Sequence, residues 1–394
     1  MAPPPSRRLG TLAVHGGEAE TLAVPAVNTP VYQTTTYRFD TAADAAAYLD
    51  APEGRWLYAR LENPTVVAAE RKLALLEGTE RAVCFASGMA AVHAALAGHL
   101  SAGDALLLAD TVYGQTTRLA RTLLARGGVQ VIEVPLARLA EAAAAAPPNA
   151  RALLFETPTN PTLRVVDVEA VAAACRRRGI VSMIDATFAT PVNLRPAALG
   201  VDLVIHSATK YLNGHCDHLA GVVAGPRALL EPVVEVRRTA GGTLDAAVAY
   251  DLIRGLKTLE VRVERQNATA LRLATALEGH PAVARVHYPL LASHPDHALA
   301  RRLLRGGGGV LSISVKGGFE PCCRVHDALE LVARAASLGG VESLCSIPAI
   351  SSHRGATDAE LAAQGIDRGL LRISVGLEDP DDLLQDLARA LGRA

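Results

Sequence analysis

The sequence has few of the features that direct a protein to a membrane, a nucleic acid or an oxidising compartment. The formal charge at pH 7 is −1 over 394 residues, so no large basic field is available to attract nucleic acid or an anionic membrane. No apolar run is long and uncharged enough to span a bilayer. The charged N-terminus MAPPPSRR is not followed by the apolar run of a secretory signal. We therefore expect a soluble, cytoplasmic protein.

The six cysteines show no CxxC pair and no disulfide-framework spacing, so we expect reduced thiols and no metal centre. They are Cys84, Cys175, Cys216, Cys322, Cys323 and Cys345. Half of the residues are hydrophobic, and a chain of this length is enough for two or three domains with well-buried cores.

Short apolar runs alternate with helical segments from Arg81 onward, which predicts βαβ units and a mainly parallel sheet buried on both faces. The predicted strands are Ala82–Ala86, Ala105–Ala109, Val129–Val134, Ala152–Glu156, Ile180–Asp185 and Leu203–His206. The predicted helices between them are Ala90–Leu100, Thr117–Arg126, Leu136–Ala146 and Val168–Arg178. Functional sites in such sheets form outside the carboxyl ends of the strands.

The two ends of the chain have other patterns. Residues 1–57 are rich in Pro and Thr and predict an extended N-terminal arm that packs on something else, such as another subunit. A long helix is predicted after residue 242 from one apolar stripe: Leu252, Leu256, Leu259 and Val263. We expect it to join a large domain (58–250) to a small C-terminal domain (251–394), with strands at 310–315 and 371–375 and a helix at 381–391.

A lysine follows directly after the strand at 203–206, in the segment VIHSATKYLNGH (204–215). Burial of an ammonium group is costly, and a desolvated lysine has a lowered pKa and becomes a nucleophile for a carbonyl. Lys210 is therefore a candidate catalytic amine, with an exposed loop lysine as the alternative. The neighbouring hydroxyls of Ser207 and Thr209 are suited to donate to a phosphate.

Asp185 ends the preceding predicted strand, in the segment IDAT (184–187). The cofactor pyridoxal phosphate (PLP) works as an electron sink only while its ring nitrogen stays protonated, and a carboxylate partner enforces that state. Asp185 has a suitable position for this partner. A turn or helix-cap aspartate is the alternative.

The segment FASGMAA (85–91) leads from a strand through small residues into a helix. Free backbone N–H groups and the positive end of the helix dipole make such a turn an anion site, and glycine lets a phosphate approach closely. Ser87, Gly88 and Met89 are therefore candidate phosphate-binding residues, with ordinary strand–helix punctuation as the alternative.

Two further segments carry an arginine. Tyr58 and Arg60 supply a phenol and a guanidinium two residues apart, and arginine suits bidentate phosphate binding. Arg372 lies in the apolar segment LLRISV, where a buried guanidinium needs an anionic partner such as a substrate carboxylate. A structural salt bridge is the alternative for each arginine.

Together these segments resemble the Cys/Met-metabolism family of PLP enzymes, the transsulfuration enzymes, over about residues 24–391. That family includes cystathionine γ-synthase, cystathionine γ-lyase, methionine γ-lyase and O-acylhomoserine sulfhydrylase. The resemblance is carried by YARLENPT (58–65), FASGMAA (85–91), DTVYGQT (110–116), ETPTNPT (156–162), IDATFATP (184–191), HSATKYLNGHCD (206–217), GGTLD (241–245), RGLKTL (254–259), SLGGVESL (337–344) and LLRISVGLED (370–379).

The resemblance implies an α/β protein of PLP fold type I, like aspartate aminotransferase, with a mainly parallel large domain and a smaller C-terminal α/β domain. Lys210 would hold PLP as a Schiff base and later move protons. Asp185 would pair with the pyridinium nitrogen, and Tyr113 would stack on the ring and assist proton transfer. Asn160, Ser343 and Arg372 would hold the substrate carboxylate or surround the cofactor's phenolic oxygen.

The resemblance also implies a homotetramer made of two catalytic dimers. Its phosphate site would combine Gly88, Met89, Ser207 and Thr209 of one subunit with Tyr58 and Arg60 of its neighbour. The implied reaction is γ-elimination or γ-replacement on a small amino acid that contains sulfur or derives from homoserine. The same residues serve both outcomes, so the motifs leave elimination and replacement open.

Three departures from the family's usual pattern bear on the substrate: Leu57 before the tyrosine of Tyr-x-Arg, Gln115 after Tyr-Gly, and Ala186 after the aspartate. Many members carry a carboxylate where Leu57 stands, suited to the distal ammonium of cystathionine, and Glu53, Glu62 or Glu342 could replace it. Methionine γ-lyases typically have cysteine where Gln115 stands.

Overall likeness favours a cystathionine γ-synthase or γ-lyase type of enzyme. The alternatives are an O-acylhomoserine sulfhydrylase, a methionine γ-lyase, an aminotransferase on the same fold, and a non-catalytic binding protein.

Overall fold

Seven strands form the larger of two sheets in the computed structural model, which describes residues 7–18, 26–50 and 55–394. Their order across the sheet is β1-β7-β6-β5-β4-β2-β3. The strands are β1 (Arg81–Phe85), β2 (Ala105–Ala109), β3 (Gln130–Val134), β4 (Ala150–Glu156), β5 (Val181–Asp185), β6 (Leu203–His206) and β7 (Gly221–Gly225). β7 is antiparallel to both of its neighbours, and all other pairs are parallel.

This sheet confirms the predicted α/β organisation. All six predicted strands are found, with ends shifted by at most two residues. The interior strands β2, β6 and β7 are buried along their whole length, whereas the edge strand β3 is largely exposed. Strand β7 was not predicted. Because six strands run in one direction, their carboxyl ends meet at one edge of the sheet.

Helices cover the sheet and connect its strands. They are α1 (Leu9–His15), α2 (Ala42–Asp50), α3 (Pro64–Glu77), α4 (Gly88–Ala97), α5 (Gly114–Leu119), α6 (Leu139–Ala144), α7 (Val168–Arg178), α8 (Thr190–Asn193), α9 (Arg227–Ala240) and α10 (Ala246–Leu256). A π-helical turn (Ala120–Leu124) continues α5, and 3-10 turns lie at Leu136–Arg138 and Pro196–Leu199.

Helix α7 shows how local sequence sets the ends of a helix. The Asp167 side chain accepts a hydrogen bond from the backbone N–H of Ala170, and Gly179 ends the helix in the left-handed region with φ 65°. An acceptor side chain before the first turn and a glycine after the last turn are standard helix ends. The observed helix has the predicted bounds.

The long helix predicted after residue 242 is two helices, so that prediction was wrong. α10 ends at Leu256, and α11 (Leu259–Leu277) begins after Thr258, whose backbone leaves the helical region with φ −110° and ψ 9°. All four residues of the predicted apolar stripe are nevertheless buried. The stripe continues across the break because both helices pack on the same core, which is why spacing did not reveal it. The proposed domain boundary at residue 250 falls inside α10.

A second sheet of five strands follows α11, in the order β10-β11-β12-β9-β8. Its strands are β8 (Val283–His287), β9 (Val310–Val315), β10 (Ala333–Arg334), β11 (Leu344–Ser346) and β12 (Leu370–Ser374). The remaining helices are α12 (His297–Leu303), α13 (Phe319–Ala328), α14 (Asp358–Ala363) and α15 (Pro380–Leu391), with a 3-10 turn at Pro348–Ile350. The predicted strands near 310 and 371 and the closing helix are found. β8, β10 and β11 were not predicted.

The described parts of the N-terminal arm contain α1 and α2. Helix α1 packs on α3 and α11, and the buried ammonium of Lys72 on α3 donates to the carbonyl oxygen of Ala13 at 2.7 Å. Farther along, Thr36 forms an isolated antiparallel bridge with Tyr58. Across the described ranges, no helix combines the length and apolarity needed to cross a bilayer.

Candidate active site

A cavity of about 580 Å³ lies at the carboxyl edge of the large sheet, and its wall also includes residues from the part of the chain that forms the second sheet. Ten of the thirteen predicted site residues line it: Ser87, Gly88, Met89, Tyr113, Asn160, Asp185, Ser207, Thr209, Lys210 and Arg372. Residues after β1, β2, β4, β5 and β6 converge there because parallel strands end at one edge. Arg372 on β12 and Ser337, in the loop before β11, come from the second sheet.

Lys210 extends into this cavity from the loop that follows β6. Its Nζ donates a hydrogen bond to Oγ of Ser337 at 2.7 Å, and no carboxylate of the described residues forms an ion pair with it. Burial lowers the pKa of Lys210, and the nearby positive charge of Arg372 lowers it further. A lysine in this state is more readily deprotonated than a solvated one, which is what a nucleophilic amine requires.

Two hydrogen bonds at the loop ends keep the lysine segment in place. Oγ1 of Thr209 donates to the carbonyl oxygen of Ala220 at 3.1 Å and accepts from the N–H of Ala220 at 3.0 Å. Ala220 directly precedes β7. These two bonds therefore join the start of the loop that carries Lys210, just after β6, to its end, just before β7.

Asp185 is the last residue of β5. Its Oδ1 accepts from the backbone N–H of Thr187 at 3.0 Å and from the hydroxyl of Thr187 at 2.5 Å, and this hydroxyl accepts from the N–H of Ser207 at 2.8 Å. Burial raises the pKa of Asp185. Since both described hydrogen bonds fall on Oδ1, the second oxygen has the capacity to receive a cationic N–H donor.

The turn between β1 and α4 presses against the start of the lysine loop. The Ser87 hydroxyl oxygen caps α4 by accepting from the N–H of Ala90 at 3.2 Å. A Cβ placed on Gly88 would lie 2.8 Å from Cβ of Ser207, so only glycine fits there without displacement. The helix N-terminus, with its unpaired N–H groups, thereby faces the Ser207 and Thr209 segment across a narrow gap suited to an anion.

Arg372 is a buried guanidinium, 6% exposed. Its Nη1 donates to Oδ1 of Asn160 at 3.0 Å, and its Nη2 donates to the carbonyl oxygen of Ser337 at 2.9 Å. Its Nε has no hydrogen-bond partner, and none of the ion pairs among the described residues includes it. Burial lowers the pKa of Arg372. A buried cation held only by neutral oxygens is a site for an incoming carboxylate.

Twelve cavity residues were not among the predicted site residues, and they include the polar residues Gln115, Glu156, Thr187 and Ser337. Each of these four lies inside a motif that had been singled out, so the signal was present at the level of the motif. Glu156 had a clearer one, because it ends a buried strand as Asp185 does. The two residues are paired across β4 and β5.

Ser343 does not line the cavity, which corrects the prediction that it binds substrate. It is buried, its N–H and hydroxyl donate to the carboxylate of Glu378 at 2.6 and 2.7 Å, and its Oγ accepts from the N–H of Gly376. These bonds leave it no free donor. Ser337, six residues earlier in the same motif, occupies the cavity wall instead.

Tyr58 and Arg60 lie outside this cavity. Tyr58 is 42% exposed, the Arg60 guanidinium stacks 5.6 Å from its ring centroid, and Nη1 of Arg60 donates to the carbonyl oxygen of Arg238. They were predicted to serve a neighbouring subunit, and that remains a prediction. Of the departures from the family pattern, Gln115 lines the cavity, whereas Leu57 and Ala186 do not. Neither Glu62 nor Glu342 lines it, and Glu53 lies outside the described residues.

The sequence profile of the Cys/Met metabolism PLP-dependent enzymes matches residues 10–392. The chain belongs to this family. Cystathionine gamma-synthase 1, chloroplastic, of Arabidopsis thaliana is 40% identical over 97% of this chain and 68% of its own. L-methionine gamma-lyase of Pseudomonas putida is 41% identical over 97% of this chain and 96% of its own. The crystal structure of a cystathione gamma lyase (CalE6) from Micromonospora echinospora matches with a TM-score of 0.90 and 39% identity, covering 98% of this chain and 99% of its own.

Membership of the Cys/Met metabolism family confirms the predicted PLP fold type I and the use of PLP. The cavity fits that cofactor chemically. It offers an amine at Lys210 with no counter-ion among the described residues, a carboxylate with an oxygen to spare at Asp185, and a helix N-terminus at Gly88, where a larger residue would have to displace Ser207. These groups match an aldehyde, a ring nitrogen and a phosphate respectively.

Proposed function

We propose that this enzyme acts at the γ-carbon of an amino acid that contains sulfur or derives from homoserine, with Lys210 as its catalytic amine. One observation carries the proposal. The partly buried Lys210 and the buried Arg372 share one cavity with Asp185, and neither cation has a carboxylate partner among the described residues. The carboxylate of an amino-acid substrate would pair with Arg372, and the aldehyde of PLP would react with the amine of Lys210.

When bound, PLP withdraws electrons from the amino acid, so that protons on its α- and β-carbons become removable. Lys210 Nζ takes the proton from the α-carbon, which requires the neutral amine that burial favours. Ser337 Oγ orients this amine. Asp185 would keep the ring nitrogen protonated, Tyr113 would stack on the ring, and the phosphate would be held by Ser87, Gly88, Met89, Ser207 and Thr209.

Arg372 and Asn160 hold the α-carboxylate and thereby direct the α-proton towards Lys210. The same amine then moves a proton at the β-carbon, and the γ-substituent leaves. A thiol that enters the cavity next gives replacement, and water gives elimination. Cystathionine γ-synthase or γ-lyase chemistry is our first candidate, because the overall likeness to both kinds of enzyme extends over nearly the whole chain.

A methionine γ-lyase or O-acylhomoserine sulfhydrylase is the second candidate, and the cavity wall favours it in one respect. Among the described residues, Asp185 and Glu156 are the only carboxylates that line the cavity. Both lie at strand ends and have hydrogen bonds from neighbouring residues. No described acidic side chain at the cavity is therefore available for a distal ammonium, whereas the neutral amide of Gln115 suits an uncharged substituent.

The assembly and location belong to the same proposal. We expect a homotetramer of two catalytic dimers in the cytoplasm, with Tyr58 and Arg60 completing the phosphate site of the neighbouring subunit. Support comes from their exposure and their distance from the described cavity of their own chain.

A substrate panel tests the activity. The PLP-loaded protein is incubated with L-cystathionine, L-methionine, L-homocysteine, and O-acylhomoserines with and without cysteine, and the products are identified by mass spectrometry. We expect a 2-oxo acid, a thiol or a new thioether from at least one of them. If none forms, the proposed γ-chemistry is wrong. Stoichiometric conversion of the cofactor to its amine form, with recycling by a 2-oxo acid, would indicate an aminotransferase instead.

A further inference from the structure

Glu156 is a buried acid at the cavity that the mechanism above does not use. It is the last residue of β4, 4% exposed, and it lies beside Asp185 in the register of β4 and β5. Burial raises the pKa of Glu156 well above its ordinary value, and the neighbouring Asp185 adds to this. Burying two adjacent carboxyl groups is costly, so a buried Glu156 is expected to hold other groups in place.

Each carboxylate oxygen of Glu156 binds a different functional segment. Oε2 accepts from the backbone N–H of Tyr113 at 3.0 Å, and Oε1 accepts from the backbone N–H of Asn160 at 2.9 Å. Tyr113 belongs to the segment after β2, and Asn160 to the segment after β4. One side chain therefore fixes the position of two loops that both line the cavity.

The hydrogen bonds continue from Asn160 to the lysine. Asn160 Oδ1 accepts from Arg372 at 3.0 Å, Arg372 donates to the carbonyl oxygen of Ser337 at 2.9 Å, and the Ser337 hydroxyl accepts from Lys210 at 2.7 Å. If the Asn160 backbone moved, the Arg372 guanidinium would lose or change its hydrogen bond to Asn160 Oδ1. Among the described residues, this is the only side-chain oxygen that accepts a hydrogen bond from that guanidinium.

We propose that Glu156 is a positioning residue that sets the geometry of the substrate-carboxylate site through Asn160 and of the cofactor-facing side through Tyr113. The inference rests on the proposed function and adds a residue to it. Glu156 does not touch the reacting atoms in this account. It acts by holding two backbone N–H groups at fixed points, which no neutral side chain with a single acceptor oxygen could do.

Binding of two non-reacting probes separates this role from a general effect on stability. L-Norleucine has the α-carboxylate but no γ-leaving group, and L-norleucinamide lacks the carboxylate charge. Their dissociation constants are measured by absorbance titration of PLP-loaded wild type, Glu156→Ala, Asn160→Ala and the double variant. The preference for norleucine is the ratio of the dissociation constant of the amide to that of norleucine. Loss of a hydrogen bond to a charged group changes a dissociation constant roughly tenfold or more, so we expect Glu156→Ala to reduce this ratio by about that factor.

Coupling gives the second readout. If Glu156 acts through Asn160, the double variant should lose no more of the norleucine preference than Asn160→Ala alone. Dissociation of PLP from Glu156→Ala should also be faster than from wild type, because Tyr113 is displaced. Glu156→Gln retains one acceptor oxygen, so we expect it to impair one of the two properties. It also serves as the test if Glu156→Ala does not fold.

Asp202→Ala is the matched control. Asp202 likewise accepts two hydrogen bonds, both from Ser182, at 2.8 and 2.7 Å, but at the opposite end of β5. It should leave the norleucine preference unchanged even if its melting temperature falls. Equal weakening of both probes by Glu156→Ala, multiplicative loss in the double variant, or an unaffected Glu156→Gln would overturn the inference. A wild type that takes up no PLP would instead overturn the proposed function, and this inference with it.

Discussion

Lys210 and Arg372 make the cavity unusual at the scale of single residues, because each is a cation without a carboxylate partner among the described residues. Burial lowers the pKa of both groups. Lys210 titrates as a group whose folded-state pKa lies below its unfolded value. The free energy of unfolding therefore rises with pH between these two pKa values, because over that interval the unfolded chain binds the proton and the folded chain does not. Catalysis and stability thus depend on the same proton.

The first prediction concerns the amine itself. PLP bound to the lysine as an imine has an absorbance that changes when borohydride reduces the imine. Lys210→Ala should abolish this change, and it should also abolish turnover of any substrate found in the panel. The matched control is Lys316→Ala, since Lys316 is exposed and follows β9 far along the chain. The assay is absorbance spectroscopy with steady-state kinetics. Turnover retained in Lys210→Ala would mean that another lysine, such as Lys257, is the nucleophile.

The second prediction concerns pH. Arg372→Gln should raise the pKa of Lys210, because it removes the charge that contributes to lowering it. Only the neutral amine attacks an aldehyde, so PLP uptake by the apoprotein should shift to higher pH. The measurement is the rate of uptake as a function of pH. Arg324→Gln, an exposed arginine on α13, should leave the profile where it is in wild type. A profile that Arg372→Gln leaves in place would contradict the electrostatic coupling.

The sequence pointed to cavity-lining residues where chemistry and strand position agreed. Lys210, Asp185 and Arg372 line the cavity, and they were singled out because a charged residue at or beside an apolar strand is costly without a function; their roles remain predictions. Ser343 was predicted and Ser337 was not, because both are small polar residues of one motif and only tertiary contacts decide which one faces the cavity. Glu156 was missed although it ends a strand, since its backbone partners belong to loops whose approach no local pattern encodes.

At the scale of elements, the junction of β1 and α4 is the tightest part of the site. The third prediction is that Gly88→Ala weakens PLP binding, because the added methyl group meets Ser207 at 2.8 Å and overpacking of this kind costs about 1–3 kcal/mol. Equilibrium titration of the apoprotein with PLP measures it. Gly279→Ala, where a Cβ meets no atom within 4 Å, should bind PLP as wild type does. Equal affinity in Gly88→Ala would show that the turn has room to move.

Elements were predictable where one local signal dominated. Helix α7 has a cap, an apolar face and a terminal glycine, and its bounds were predicted correctly. The break between α10 and α11 and the short strands β10 and β11 depend on packing against distant segments. Strand β7 is apolar like its neighbours, but its direction follows from the loop that precedes it. A sequence pattern with a period of two residues carries no information on strand direction.

At the scale of the whole molecule, the fourth prediction tests whether subunits share their sites. Lys210→Ala and Arg60→Ala should each be impaired alone, whereas a mixed population formed by co-expression should regain about one quarter of the wild-type sites, since half of the dimers are mixed and one of their two sites is intact. Turnover per subunit, compared with that of the separately expressed variants, measures it. No recovery on mixing would indicate that Arg60 serves its own chain or none.

The antiparallel strand β7 has a consequence for how this enzyme can vary. A parallel neighbour would require the chain to cross to the other end of the sheet after β6, whereas β7 lets it turn back at once. Lys210 consequently lies near the start of a short span between β6 and β7, and the hydrogen bonds between Thr209 and Ala220 hold the two ends of that span together. Residues 215–217 and 219 are the exposed part of that span, and Leu219 lines the cavity, so substitutions or added length there can change the cavity wall while the reactive amine stays where it is.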